Sequence, residues 1–209
     1  MNDDTPAGAD RPRVHLVDDE APVRDALTFL FHSHGLDCTA YPGGPELLAG
    51  LEASPLRGVL LLDVRMEPMS GLQLHDELVA RGCRLPVIFL SGHGDIPMAV
   101  DALKKGAFDF VEKPFSDDAL VERVQRALRV EAAQQADVAA HDEAAARLDS
   151  LSEREREVMR RVAAGKLNKV IADELCISVR TVEVHRARVF SKLGVRSAAE
   201  VATLLAARR

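Results

Sequence analysis

From Val14 to about Leu128 the chain repeats one rhythm: a short apolar run, a polar loop, then about ten to fifteen residues with apolar positions at helical spacing. The runs are Val14–Val17, Cys38–Tyr41, Val59–Leu62, Val87–Leu90 and Phe108–Val111. The Val/Ile/Leu-rich ones suit strands covered on both faces, as in a parallel sheet. Between them, Val23, Ala26, Leu27, Leu30 and Phe31 fall at i, i+3, i+4, i+7 and i+8, the stripe of a helix that buries one side. Alternating strands and helices with right-handed crossovers predict an α/β domain with five parallel strands and helices on both faces.

The rhythm then changes. Residues 129–147 are rich in Ala, Glu and Gln and lack a convincing buried stripe, which predicts a helical linker continuing the preceding helix. From Leu148 onward only helical periodicity appears, broken at Gly165, around Ile177 and Ser178, and at Gly194. This predicts a separate all-α domain of four helices. The expected organisation is therefore 12–128, a linker over 129–147, and 148–209.

Charge divides along the same line. Residues 148–209 carry 13 Lys and Arg against 8 Asp and Glu, net +5, which leaves −11 on the preceding 147 residues of a chain whose total is −6. A basic C-terminal part suits a polyanion; an acidic N-terminal part would be repelled by one and could hold a cation. No apolar run approaches the ~18 residues of a membrane span, and Met1–Arg13 has no signal-peptide pattern, so a cytoplasmic protein with no membrane partner is expected. Cys38, Cys83 and Cys176 are scattered and lack C-x-x-C spacing, which argues for reduced packing residues rather than disulfides or a zinc site.

In an open parallel sheet, ligands bind outside the carboxyl ends of the strands. Asp18, Asp19 and Glu20 follow the first run, Asp63 ends the third, Ser91 ends the fourth, and Lys113-Pro114 follows the fifth. All fall on one rim, where converging carboxylates need a cation. Hard oxygen donors with room for water suit Mg²⁺, and Lys113 adds a second positive charge. Taken singly, each residue admits a purely structural role: Asp18–Glu20 as helix caps, Ser91 in a turn, Lys113 on the surface. Their joint placement is what marks a site.

The segments VDDE at 17–20, LLDVRM at 61–66, SGHGD at 91–95 and EKPF at 112–115 resemble the receiver domain of bacterial response regulators, over about residues 12–130. The resemblance implies a flavodoxin-like doubly wound sheet and a phosphoryl group accepted by Asp63 from a sensor histidine kinase. It further implies a metal held by Asp19, Asp63 and the main-chain carbonyl of Arg65, with Asp18 acting largely through water, and phosphoryl oxygens bound by Ser91 and Lys113. Phe110 matches the family's aromatic switch position, and a permanently buried strand residue is the alternative. Movement of Ser91 would draw in the Gly92-His93-Gly94 loop, and residues 96–105 and 108–112 would form the dimer face after activation. One departure stands out: the family commonly reads Met-Pro-x-Met-Ser-Gly where this chain has Met66-Glu67-Pro68-Met69-Ser70-Gly71, so no phosphate lifetime carries over.

Residues 151–200 resemble the luxR-type helix-turn-helix of the FixJ and NarL group. Ser152 with Glu155 forms a capping-box pattern, and helices are expected at about 168–175 and 179–193, with Ile177 and Ser178 supplying the turn and the N-cap. Plotted at 3.6 residues per turn, the second of these buries Val182, Val189, Phe190 and Leu193, with the stem of Arg186 among them. The opposite side carries Arg180, Val184, Ala187, Arg188 and Ser191, flanked by Thr181 and Lys192. Val184, Ala187 and Arg188 are expected nearest base edges, and Lys169, Arg180, Thr181 and Lys192 nearest phosphates. Glu183 sits beside them, where it could read cytosine or exclude wrong sites. The final helix, from Ala198 to Leu205, could serve packing or dimerisation.

The sequence thus predicts a regulator in which phosphorylation at Asp63, with Mg²⁺, promotes homodimers on promoter DNA, activating transcription with RNA polymerase, and no turnover enzyme. Two other readings compete: a receiver that works without phosphate, and a metal-dependent phosphohydrolase. The second is disfavoured because Asp63-Val64-Arg65 lacks the second acid of a D-x-D arrangement.

Overall fold

The structure is a computed structural model that describes residues 12–53, 56–92 and 96–206. The leader reading of Met1–Arg11 and the loop reading of His93 and Gly94 lie outside the described residues. Contacts divide the chain into two compact units, with the division between Gln135 and Ala136.

The first unit holds β1 (Arg13–Val17), α1 (Ala21–Ser33), β2 (Cys38–Tyr41), α2 (Gly44–Ala53), β3 (Gly58–Asp63), α3 (Gly71–Ala80), β4 (Val87–Ser91), α4 (Ile96–Lys104) and β5 (Asp109–Glu112). Helix α5 (Asp117–Asp149) follows and includes all of 129–147. The five strands are all parallel, in the order β2-β1-β3-β4-β5. Strand alternation sorts the core into two layers. Val59 and Leu61 of β3 point into the layer with Leu27, Leu30 and Phe31 of α1 and Leu120 and Val124 of α5. Leu60 and Leu62 point into the other, with Leu47 of α2, Leu74 and Leu78 of α3 and Ala102 of α4. Every residue of β3 is buried, which explains its unbroken apolar run.

Close approach fixes one register. A Cβ at Gly58, whose φ is +122°, would lie 1.9 Å from the main-chain oxygen of Arg13, so the β1–β3 pairing requires glycine there. The extension of α5 is less featureless than its composition suggests. Glu131 is buried and its Oε1 accepts a hydrogen bond from Nε of Arg57 at 2.7 Å. A carboxylate buried in this way is invisible to a search for apolar stripes.

The second unit contains α6 (Glu153–Ala163), α7 (Asn168–Leu175), α8 (Val179–Leu193) and α9 (Ala198–Ala206). Ser152 and Glu155 form the expected capping box, and Ser178 caps α8 by accepting from the Thr181 N–H at 3.0 Å. The turn between α7 and α8 begins with left-handed Cys176 at φ 53°, one place before Ile177, which is half-buried against the core. Cys38 and Cys83 are half-buried as expected, whereas Cys176 is exposed, because that turn directs it outward. Leu148, Leu151, Met159, Val189, Leu193 and Val201 form one core, and Val158, Val162, Ile171, Leu175 and Val182 another. Arg147 donates to the Leu193 carbonyl at 3.3 Å, tying the end of α5 to the end of α8. Among the described residues no helix is long and apolar enough to cross a membrane.

Candidate functional site

The chain leaves β1 toward β2 on one side and returns through β3 to the other, which opens a crevice at the carboxyl ends of β1 and β3. Asp18 follows β1 and Asp63 ends β3. Both carboxylates meet Lys113, which follows β5: its Nζ donates to Asp63 Oδ1 at 2.7 Å and to Asp18 Oδ2 at 3.2 Å. The second oxygens are also held. Asp63 Oδ2 accepts from the Arg65 N–H at 2.7 Å, and Asp18 Oδ1 from the Glu20 N–H at 2.9 Å. The Lys113 N–H donates to the Ser91 carbonyl at 2.7 Å, which joins the ends of β4 and β5 beneath the lysine.

Burial differs across the cluster. Asp18 is fully buried and Ser91 nearly so, Asp63 keeps 7% exposure, and Asp19 and Arg65 are exposed. Burial pushes the Asp18 carboxyl above the ordinary aspartate range, against the pull of the Glu20 N–H and Lys113. For Lys113, burial works to lower the pKa, but the hydrogen bond to Asp63 and the charges of Asp18 and Asp63 outweigh it and hold the ammonium above the ordinary lysine value. The site is a lysine-neutralised pair of carboxylates with one partly open oxygen acid, Asp63.

Gly71, the first residue of α3, completes the wall. A Cβ there would lie 2.1 Å from the Asp63 carbonyl oxygen, so the α3 backbone passes directly against the strand end. The Gly71 N–H donates to Val64 at 3.1 Å, and Ser70 caps α3 in a capping box with Gln73. Phe110 is half-buried, its ring centroid 6.3 Å from that of Phe89. The oxygen donors brought together here are the Asp18 and Asp63 carboxylates, with exposed Asp19 next to Asp18 in the chain. Among the described residues no three acid, imidazole or thiol groups close into a metal cage. Hard carboxylate donors, with Asp63 the partly exposed one, are the chemistry that suits Mg²⁺, which keeps several of its waters.

In the second unit, Arg180, Glu183, Val184, Ala187 and Arg188 of α8 are exposed together, and Val184 retains 45% exposure. Lys169 on α7 is exposed as well. Thr181 is half-buried and its hydroxyl meets Ser178 Oγ at 2.8 Å. Arg186 does more than pack its stem: it donates to Asn168 Oδ1 at 3.0 Å and its guanidinium lies 5.1 Å from the Phe190 ring centre.

Lys192, expected nearest phosphates, is held within the domain. Its ammonium donates to Glu155 Oε2 at 2.7 Å and to the Ser150 carbonyl at 2.9 Å, because helical rotation turns it toward the start of α6. The residues are 37 apart, so no local spacing announces the pair. Lys192 and the Ser152 N–H hold the Glu155 carboxyl below the ordinary glutamate range. A depressed carboxyl pKa contributes stability above the unfolded-state value and loses it as pH falls through the folded one. Glu155→Gln should therefore cost about 1 kcal/mol at neutral pH, moderated by the partial solvation of Lys192. The difference in melting temperature between wild type and variant should close as pH drops below about 4.5.

Comparison with known proteins agrees with both units. The family described as "Response regulator receiver domain" matches residues 14–125, and "Bacterial regulatory proteins, luxR family" matches residues 149–205. The chain is 50% identical over 193 residues to the C4-dicarboxylate transport transcriptional regulatory protein DctR of Rhodobacter capsulatus, covering 91% of this chain and 98% of that protein. It is 46% identical over 184 residues to the transcriptional regulatory protein FixJ of Rhizobium meliloti (strain 1021), covering 88% of this chain and 90% of that one. Among solved structures, the response regulator StyR aligns with a TM-score of 0.86 at 36% identity, covering 94% of this chain and 98% of that one. Full-length FixJ from B. japonicum aligns with a TM-score of 0.58 at 38% identity, covering 94% and 96%. These relatives are transcriptional regulators rather than known enzymes. With a receiver domain and a luxR-type DNA-binding domain in one chain, and relatives that match along most of its length, the protein belongs to the FixJ-type response regulators.

Proposed function

We propose that Asp63 accepts a phosphoryl group from a sensor histidine kinase and that the resulting aspartyl phosphate controls promoter binding by the C-terminal domain. Phosphorylation-controlled regulation of transcription is typical of the family. The observation that carries the assignment to this residue is the Asp63 carboxylate at the crevice, 2.7 Å from Lys113 and beside the buried Asp18. An Asp63 oxygen attacks phosphorus in line, the bond from phosphorus to the donor histidine breaks, and an acyl phosphate forms. Lys113 then moves from the Asp63 carboxylate to a phosphoryl oxygen, and the Ser91 hydroxyl donates to another. Asp18, Asp19, Asp63 and the Arg65 carbonyl would hold Mg²⁺, which supplies charge neutralisation for the phosphoryl oxygens. Repositioned Ser91 favours an inward seat for Phe110 against Phe89, and the α4–β5 face pairs two copies. The exposed Val100 and Leu103 of α4 support that pairing.

The homodimer reads a pseudo-palindromic site in double-stranded DNA, with Val184, Ala187 and Arg188 toward base edges, Glu183 beside them, and Lys169, Arg180, Thr181 and Lys192 toward phosphates. Contact with RNA polymerase would make the outcome activation. The functional boundaries follow as 12–128, 129–147 and 148–209. Incubation with acetyl phosphate and Mg²⁺ should add one phosphoryl group, trapped by borohydride reduction at Asp63; label elsewhere, or none, refutes the assignment. For the reading face, Arg188→Ala should cost roughly 1–3 kcal/mol on specific DNA. Wild-type affinity should fall steeply with salt, whereas salt-indifferent binding would contradict phosphate-led association.

A further inference from the structure

A second concavity lies on the receiver face that packs α3 against α4, and none of the carboxyl-edge residues lines it. The open groove measures about 430 Å³, and Leu72, Met98 and Ala102 give it an apolar lining. His75 lines the same groove although it is only 3% exposed. Its ring meets Phe89 edge-on, with centroids 5.5 Å apart and planes at 85°, and it forms no hydrogen bond among the described residues. Among the described residues the buried side-chain nitrogens and oxygens without a partner are Glu131 Oε2 and His185 Nδ1, so the His75 nitrogens are reached from the groove and not sealed in the core. Burial and Lys105 push its pKa below the ordinary histidine value, against Asp76, so the ring is neutral and offers one donor and one acceptor.

The rim decides the charge of an occupant. Lys105 Nζ lies 2.8 Å from both carboxylate oxygens of Asp76, and on α4 Asp101 stands with Lys104. The four charges cancel, so neither an anion nor a cation is favoured. The lining is complementary to a single polar group, placed above an apolar body, that can both donate and accept. A hydroxyl does this whichever imidazole nitrogen carries the proton. We propose that the α3–α4 groove is a binding site for a small uncharged molecule with an apolar body and one hydroxyl group, the hydroxyl hydrogen-bonded to His75. Because Phe89 touches both His75 and Phe110, an occupant bears on the aromatic contact beneath β5. That consequence rests on the role proposed above for Phe110; binding itself does not.

The test titrates phenol, with toluene as the hydroxyl-free counterpart, into the unphosphorylated full-length protein while the His75 ring resonance is followed by NMR. Phenol should give a saturable shift in the millimolar range expected of so small a ligand. Toluene should bind at least about tenfold more weakly. His75→Phe keeps the edge contact with Phe89 and should abolish the preference for phenol, read from the neighbouring methyl resonances of Met98. Leu72→Trp fills the half-buried mouth of the groove and should remove both ligands, which keeps the test decisive if His75→Phe fails to fold. Asp63→Asn should bind phenol as wild type does, so failure of the phosphorylation reading leaves this result intact. A shift that does not saturate, equal affinity for phenol and toluene, or phenol binding unchanged by Leu72→Trp would overturn the proposal.

Discussion

Asp63→Asn should bind promoter fragments with the same affinity whether or not acetyl phosphate and Mg²⁺ are present, while wild-type binding tightens by roughly 5–150-fold on phosphorylation, the usual span of coupling between two sites. The substitution keeps the shape of the side chain and a carbonyl oxygen able to accept from the Arg65 N–H, as Asp63 does at 2.7 Å. It removes the nucleophilic charge. It also leaves Lys113 with the buried Asp18 as its charged partner, so the variant should stay folded. Parallel titrations on one operator, with a matched non-specific fragment, measure the effect. Equal binding by wild type and variant, with or without phosphodonor, would leave the DNA reader intact and remove the switch.

The second large effect concerns a missing side chain. Gly71→Ala would place a methyl group 2.1 Å from the Asp63 carbonyl oxygen, and the obstacle is backbone rather than a movable side chain. Relief requires α3 to lift away from β3 or the strand end to twist. Forcing volume into packed structure at this level costs ~3 kcal/mol or more, enough to lower the melting temperature of the receiver by roughly 10 °C. The displaced segment is the one that presents the Asp63 carboxylate, so phosphorylation by acetyl phosphate should slow beyond the loss of folded protein. Calorimetry and labelling on the same preparation separate the two effects. A variant that melts like wild type and labels at the same rate would show that α3 yields without disturbing Asp63.

Most of the architecture was legible because its causes are local. Apolar runs bounded by polar residues marked the strands, and Ser152 with Glu155 marked the start of α6. The acidic rim was legible for a topological reason: strand ends converge wherever a parallel sheet reverses direction. The long-range pairings were not legible. Nothing in the spacing of Lys192 and Glu155, Arg57 and Glu131, or His75 and Phe89 predicts that they meet, because each joins elements brought together only by tertiary packing. Helical rotation alone suggested that Lys192 was available to phosphates; it could not show an acid waiting at the start of another helix. The depth of Asp18 escaped for the same reason, since nothing in three consecutive acids tells which of them the sheet closes over.

The tie between Lys192, Glu155 and the Ser150 carbonyl bears on protein engineering. A chimera that exchanges only α8 for the corresponding helix of a relative, in order to redirect the regulator to a new operator, would import a reading face without its anchor. If the donor helix lacks a basic group at position 192, the helix can roll about its axis and turn its exposed face, Val184 and Arg188 included, to a different angle from the rest of the domain. Specificity grafts should therefore transfer positions 155 and 192 together with the exposed face, the Ser150 contact being to a main-chain carbonyl that any residue supplies.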